Sequence, residues 1–363
     1  MKTSVTRGGM GKRQQGIALV IVMLVIVVLG ALVGGFAYSM RVETRLAGNS
    51  SLESDMEWLG RSGIELARYL LGEQANMKSE GYTSLNQRWA DGVGSPDYFL
   101  EEIDLHNINL GVGHMSVEII DAESKLNLNV AIMNDEMLEK IFFLMGESIL
   151  DSSTIKDSMR DWIDLDDQTG LSGFETDDYL ASVPPYVAKN GPLDSLPEVL
   201  MIRGMSDELY YGTNSMMQFE DPGMMSATDR IFGDQYGTFS ASFEEVFTTV
   251  GGPRVNINTA SSQVLRLLPG IDPTVASGIL EMRAGFDGMD GTEDDIPFRS
   301  PGEIISAPGM TPELARIMSR FIDVKSTTFE VFVDAEIGGF KRTYKALLFR
   351  SGTQVQQLTF TWE

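Results

Sequence analysis

The sequence predicts an α+β protein: a long N-terminal helix, transmembrane below and amphipathic above, an antiparallel sheet split in chain order, and a large all-α domain inserted into that sheet. Three observations predict it. An uncharged run from Gly16 to Tyr38 follows a basic leader. Period-two alternation occurs near residues 115–130 and returns only after residue 329. Between the two lies a helical stretch in which one short pattern occurs three times.

The apolar run comes first. No charge stands between Arg13 and Arg41, and ~20 apolar residues suffice to carry a helix through the ~30 Å hydrocarbon core of a bilayer. Lys2, Arg7, Lys12 and Arg13 precede the run with no acid before Glu43, which keeps the N-terminus cytoplasmic and sends the rest of the chain across. A secretory signal has a shorter apolar region and a small-x-small cleavage site. Here Gly16 separates leader from run, so a cut after Gly16 would leave the membrane helix on the mature chain with Ile17 as its first residue. From Arg41 to about Leu71, Leu46, Leu52, Met56, Leu59, Gly63, Leu66 and Leu70 recur at three- and four-residue steps, so the helix continues with an apolar stripe. Gly30, Gly34, Gly35 and Gly48 are points of bending or close helix approach.

Composition narrows the function. Net charge is −24, and losing the four basic residues before Gly16 takes it to −28. Such a surface repels phosphate backbones and favours divalent cations. There is no cysteine, so neither disulfides nor thiolate metal sites are available, and bound calcium suits an exported chain rich in carboxylates. No nucleophile and base assemble either: His106 and His114 match no zinc pattern, and no Gly-x-Ser-x-Gly or phosphate-loop motif occurs, so the reading is not an enzyme. The methionine pairs Met216-Met217 and Met224-Met225 read as adaptable apolar contacts.

Beyond Tyr82, Trp89 and Tyr98 are expected packing anchors. Residues 115–121 and Leu126 to Val130 alternate as two strands, and Phe329 to Ala335, Arg342 to Phe349 and Val355 to Trp362 form a meander. Pairing both groups into one sheet makes residues 135–325 an insertion. Within it, Ser195 to Leu209, Ser262 to Val275 and Ser300 to Leu314 each read as a short helix, a Gly-apolar hairpin and a second helix capped by Ser, Asp or Thr. Two copies open with Ser-x-x-Glu, the spacing of a capping box, at Ser195/Glu198 and Ser300/Glu303.

Two acidic loops are candidate calcium sites. Asp164, Asp166, Asp167, Glu175, Asp177 and Asp178 surround a glycine-containing loop, and Asp287, Asp290, Glu293, Asp294 and Asp295 alternate with glycines. Both supply the oxygen ligands that calcium takes, and neither follows the EF-hand spacing.

Resemblances extend these readings. Val255-Asn256-Ile257-Asn258-Thr259-Ala260, with Leu267-Leu268-Pro269-Gly270-Ile271, resembles the helix-hairpin-helix module in which hairpin amides hold a nucleic-acid phosphate. Here the neighbours are Asp272, Glu281, Asp287 and Asp290 with only Arg266 and Arg283 as bases, so a packed sterile-alpha-motif-like unit without nucleic acid is the better reading. The leader with Gly16 and Ile17 resembles the class III leader of type IV pilins and pseudopilins, which a prepilin peptidase cleaves and N-methylates. With Arg160-Asp161-Trp162-Ile163-Asp164 and Val255 to Ala260, the chain resembles the K-type minor pseudopilins of type II secretion.

That resemblance implies a leader at 1–16, an N-terminal helix at 17–75 with its membrane part at 17–40, pseudopilin α/β structure at 76–134 and 326–363, and the helical insertion at 135–325. It implies calcium in the insertion and anchorage in the inner membrane with a periplasmic body. It also implies partnership with minor pseudopilins I and J, and with further pseudopilins, at the tip of a filament that exports folded proteins. Most of the family carries glutamate as the fifth mature residue, and the fifth here is Ile21, which fits a subunit with no neighbour above it. A type IV pilus minor pilin and a helix-hairpin-helix DNA-uptake protein are the alternative readings.

Overall fold

The computed structural model describes residues 14–77, 79–94, 104–145, 149–212 and 241–362. The basic residues Lys2, Arg7, Lys12 and Arg13, together with Tyr98 and the two methionine pairs, lie outside them. The chain divides into two compact units, Met1–Trp58 and Leu59–Glu363. Helix α1, Gln14–Asn76, begins in the first and ends in the second. In the first unit Ile17 to Leu29 are all exposed, and the helix is long and apolar enough to cross a membrane.

In the second unit, strands β1 (Ile108–Leu110) and β2 (Gly113–Asp121) form a hairpin. The chain then leaves the sheet. It passes β3 (Leu126–Asn127), α2 (Leu128–Ala131), α3 (Asp135–Leu144), α4 (Ile149–Ile163), α5 (Thr176–Tyr179), α6 (Asp207–Tyr211), β4 (Phe247–Thr248), β5 (Val255–Asn256) and β6 (Ile322–Asp323). It re-enters as β7 (Thr328–Ile337), β8 (Phe340–Ser351) and β9 (Gln354–Trp362). The five-stranded antiparallel order is β1-β2-β7-β8-β9. Gly338 and Gly339, at φ 57° and 88°, make the tight β7–β8 turn, since a two-residue hairpin loop needs positive φ at both positions.

One sheet face carries Val117, Ile119, Val331, Val333, Tyr344 and Ala346, all buried. The C-terminal part of α1 approaches this face at Gly60 and Gly63. A Cβ on Gly60 would sit 2.4 Å from the Tyr344 ring, and one on Gly63 would sit 2.6 Å from a Val333 methyl. Glycine at both positions, one helical turn apart, lets the helix backbone lie directly on the sheet's side chains. Trp89, the expected anchor, is buried edge-on against Phe329 with ring centres 5.3 Å apart.

The inserted core is a single apolar cluster running in sequence from Leu126 to Val324, with Leu128, Phe142, Trp162, Phe243, Leu265 and Ile279 among its members. Insertion thus occupies the whole of 122–327 between β2 and β7, beginning earlier than residue 135.

Three sequence expectations are corrected. Residues Leu126 to Val130 do not form a strand of the main sheet: β3 stops at Asn127, pairs in parallel with β4, and passes into α2. The asparagines cause this. Asn127 Oδ1 accepts from Asn129 N at 3.1 Å and starts the helix, while its Nδ2 donates to Gly251 O at 3.0 Å; Asn129 Nδ2 donates to Leu193 O at 3.1 Å. The insertion is also not purely helical, since β3/β4 and β5/β6 form two short parallel ladders.

Finally, Ser195 and Ser300 make no side-chain cap bond, and the segments they open are 3-10 helices, Leu196–Met201 and Pro301–Ser306. Glu198 and Glu303 instead accept from the amides one residue earlier, Asp194 N at 3.0 Å and Arg299 N at 2.8 Å. The second helix of each copy is capped as expected, by Ser206, Asp272 and Thr311, after hairpin glycines Gly204, Gly270 and Gly309 at positive φ.

Candidate metal centre

Helix α4 delivers Asp161 in its last turn, and Asp164 follows one turn later as the helix ends. The loop then doubles back so that Glu175, the residue before α5, returns to the same point. One carboxylate oxygen from each of Asp161, Asp164 and Glu175 lies within 4.8 Å of the others. Two oxygens on opposite sides of a calcium ion at ~2.4 Å are ~4.8 Å apart, so one ion can touch all three.

The loop's glycines make this approach possible: a Cβ on Gly173 would fall 1.8 Å from Asp161 Oδ2. Gly170 N donates to that same oxygen at 2.9 Å, and Ser172 N donates to Asp157 Oδ2 at 3.1 Å. Behind the site, Trp162 packs edge-on against Tyr179, with centroids 5.3 Å apart, and Tyr179 stacks on Tyr186 at 5.1 Å. Trp162 Nε1 donates to Glu198 Oε1 at 2.8 Å, which fixes the ring.

The electrostatics are those of a cation site. Asp161 is 3% exposed and Glu175 2% exposed, and Asp164 Oδ1 and both Glu175 carboxylate oxygens are buried without a hydrogen-bond partner. Burial, followed by the charges of Asp161 and Asp164, pushes the Glu175 carboxyl up to about 7. Asp161 and Asp164 are likewise raised, with burial the first cause. Buried, unpartnered carboxylates crowded together are costly unless a cation neutralises them. The residues therefore fit a hard divalent ion, with backbone carbonyls or water completing its shell.

Of the six residues that the sequence singles out in this loop, the structure brings together Asp164 and Glu175. Asp166 and Asp167 are exposed and accept from Gln168 N at 2.9 Å and Asn190 Nδ2 at 3.0 Å. Asp177 and Asp178 are exposed on α5, where Asp178 Oδ2 accepts from Glu175 N at 3.1 Å. The third member, Asp161, was missed as a ligand. Its signal was the three-residue step to Asp164, one helical turn, at a helix end.

The second acidic loop is organised differently. Asp290 forms a two-bond pair with Arg283 at 2.9 and 2.7 Å. Asp294 accepts from Phe286 N, Asp287 N and Thr292 Oγ1 at 2.6, 3.1 and 2.8 Å, Asp295 accepts from Gly291 N at 2.8 Å, and Asp287 Oδ1 from Met289 N at 2.8 Å. Glu293 is exposed. These bonds, led by Thr292 and Phe286, hold the Asp294 carboxyl below its ordinary range. Among the described residues only the first loop gathers three such oxygens. The histidines lie elsewhere, His106 Nε2 being 2.8 Å from Asp91 and His114 Nε2 3.4 Å from Glu336.

The fold is thus a long apolar helix whose continuation packs on an antiparallel sheet, with a largely helical insertion between β2 and β7. Residues 124–215, the segment that holds the three carboxylates, match the family model described as type II secretion system (T2SS), protein K. The chain is similar to type II secretion system protein K of Klebsiella pneumoniae, at 27% identity over 214 residues, covering 55% of this chain and 61% of that one. It is similar also to the protein K of Pectobacterium carotovorum subsp. carotovorum, at 25% identity with the same 55% and 61% coverage. It thus spans 61% of the length of these relatives. Among solved structures it is similar to a chain of the GspK-GspI-GspJ complex from the enterotoxigenic Escherichia coli type 2 secretion system. The TM-score is 0.61 at 17% identity, covering 87% of this chain and 98% of that one.

Proposed function

We propose that this chain is a minor pseudopilin that sits at the tip of a type II secretion pseudopilus and supports export of folded proteins across the outer membrane. The observation that carries the reading is the match to protein K over 124–215, within a fold shared along 98% of a solved chain from the GspK-GspI-GspJ complex. The role is structural rather than enzymatic. Helix α1 anchors the chain in the inner membrane, with the N-terminus cytoplasmic and the sheet and insertion periplasmic. A prepilin peptidase removes residues 1–16 and methylates Ile17.

Partners are the minor pseudopilins I and J, bundled along α1, with further pseudopilins below. Ile21 stands where a glutamate would pair with the terminal amine of a subunit above. Calcium is held by Asp161, Asp164 and Glu175, where it neutralises three buried charges and fixes the loop between α4 and α5.

Deleting the gene tests the role: exported proteins should accumulate in the periplasm, and normal secretion would overturn it. N-terminal sequencing of membrane-extracted protein should give methylated Ile17. An uncut Met1 in the assembled filament would remove the pilin-type reading.

A further inference from the structure

Asn190 ties the stretch after α5 to the loop between α4 and α5. Its backbone sits at φ 49°, in the left-handed region that asparagine enters more readily than most side chains. Its Nδ2 donates to Asp166 O at 3.2 Å and to Asp167 Oδ1 at 3.0 Å, and its Oδ1 is buried without a hydrogen-bond partner. The next residue is Gly191, whose N donates to Trp162 O at 3.4 Å. This is the one Asn-Gly pair in the chain. The fold does not ask for glycine there, since a Cβ on Gly191 would meet nothing nearer than Lys189 O at 3.9 Å and its φ is not positive.

An Asn-Gly pair is chemically labile. The glycine nitrogen attacks the asparagine Cγ, the bond from Cγ to Nδ2 breaks, and ammonia leaves behind a cyclic imide. Water then opens the imide at one carbonyl or the other, giving aspartate or isoaspartate. Glycine favours the attack because no side chain crowds its nitrogen. Here every group in that reaction is engaged elsewhere. The leaving Nδ2 is bonded to two acceptors and the attacking nitrogen is turned to Trp162 O. The carboxamide oxygen, on which negative charge builds during attack, has no donor to receive it. Conversion therefore requires that the loop first lift away from Asn190.

We propose that Asn190-Gly191 is a site of spontaneous deamidation gated by the acidic loop: closed on Asn190, the loop preserves the amide, and open, it lets the amide be lost. The carboxylates of Asp161, Asp164 and Glu175 crowd one another, so the loop opens most readily when no cation lies between them. The gate rests on the calcium reading above, and the site does not. Once formed, a carboxylate at position 190 meets Asp166 O and Asp167 Oδ1 with acceptors where Nδ2 supplied donors, so the tie is not remade. The chain thereby records the time it has spent without the ion. Because the open loop does not hold calcium, the ion at about 100 times its dissociation constant cuts the open population, and with it the rate, about 100-fold.

Full-length protein in detergent would be kept at mildly alkaline pH with chelator, with graded calcium, or unfolded in urea. The peptide bearing residue 190 would be followed by mass spectrometry with detection of isoaspartate. The expected result is conversion in urea and in chelator, slowed about 100-fold by calcium at about 100 times its dissociation constant. Gly191→Ala should slow conversion in urea and in chelator with calcium affinity unchanged. Asp167→Ala, which takes one acceptor from Nδ2, should speed it in the folded chain. An amide still intact in chelator after several half-times of the urea sample overturns the site. Equal rates in chelator and at a calcium concentration that calorimetry shows to be saturating overturn the gate. If calorimetry detects no binding, the calcium reading falls instead, and Asp167→Ala decides the gate: an unchanged rate overturns it.

Discussion

Calcium binding at Asp161, Asp164 and Glu175 should expel protons in an amount that the site's electrostatics fix. With the Glu175 carboxyl at about 7, roughly three quarters of the molecules carry a proton there at pH 6.5 and about a tenth at pH 8. Calcium takes only the ionised form. Binding should therefore release about 0.8 proton per ion at pH 6.5 and about 0.1 at pH 8, and affinity should weaken about tenfold per pH unit below 7. Asp161 and Asp164, also raised, act in the same direction. Isothermal titration in buffers of different ionisation enthalpy reads the proton count directly. Glu175→Gln should weaken binding about 100-fold, close to 2.7 kcal/mol, and abolish most of the release.

Stability carries the same sign. Because the folded-state value of Glu175 is raised above its ordinary 4.5, the metal-free protein gains from this group at mildly acidic pH and loses that gain as pH rises through about 7. At one fixed calcium concentration, set to about 100 times the dissociation constant at pH 8, calcium adds about 2.7 kcal/mol there and less at pH 6, where affinity is weaker, so the rise in melting temperature should be larger at pH 8 than at pH 6. Binding without proton release, or binding that survives both Glu175→Gln and Asp161→Asn while Asp295→Asn removes it, would refute the assignment and place the ion in the second loop.

Further outcomes follow from packing. Gly63→Ala puts a methyl 2.6 and 2.8 Å from the Val333 methyls and 3.1 Å from Val117, and should cost about 1–3 kcal/mol in chemical unfolding. Asn256→Ala removes the donor shared by Thr83 O, Asp121 and Ser326 Oγ and should cost about 1–3 kcal/mol. Lys140→Met leaves Leu268 O and Ile271 O without the ammonium that now bonds them, and should cost about 1.5–3 kcal/mol with faster amide exchange at the hairpin.

What the sequence disclosed, it disclosed through periodicity. Strands β7, β8 and β9 are each nine or more residues long and meet at turns through Gly338-Gly339 and Gly352-Thr353, so the meander was legible, whereas the register shift at Leu347/Leu348 was not. Leu126 to Val130 alternates too, but over so few residues that two asparagine side chains, each bonding a distant carbonyl, override it. β1 has only three residues and no pattern to read. At the acidic loop, density of carboxylates marked the region but not the ligands. Which acids converge depends on where α4 ends and how Gly170 and Gly173 let the loop fold back onto Asp161, and chain distance does not encode that.

The hairpin module shows the same limit from the other side, because its sequence resembles a phosphate binder while its side chains are arranged for internal packing. A module that grips a phosphate must keep its bases on the surface beside the hairpin amides. Here Arg283 is 4% exposed, with Nη1 bonded to Ile257 O at 2.8 Å and Ala260 O at 2.7 Å and its remaining face closed by Asp290. Arg266 is 7% exposed and bonds Gln263. The hairpin carbonyls of Leu268 and Ile271 hold the ammonium of Lys140 from α3, and burial lowers that lysine to about 8. Arg283 and Lys140 thus tie one segment of the insertion to another. Arg283, the arginine that a phosphate-gripping module would turn outward, is the one that holds the loop carbonyls of Ile257 and Ala260, so freeing it for a phosphate would break the bonds that shape the unit presenting it.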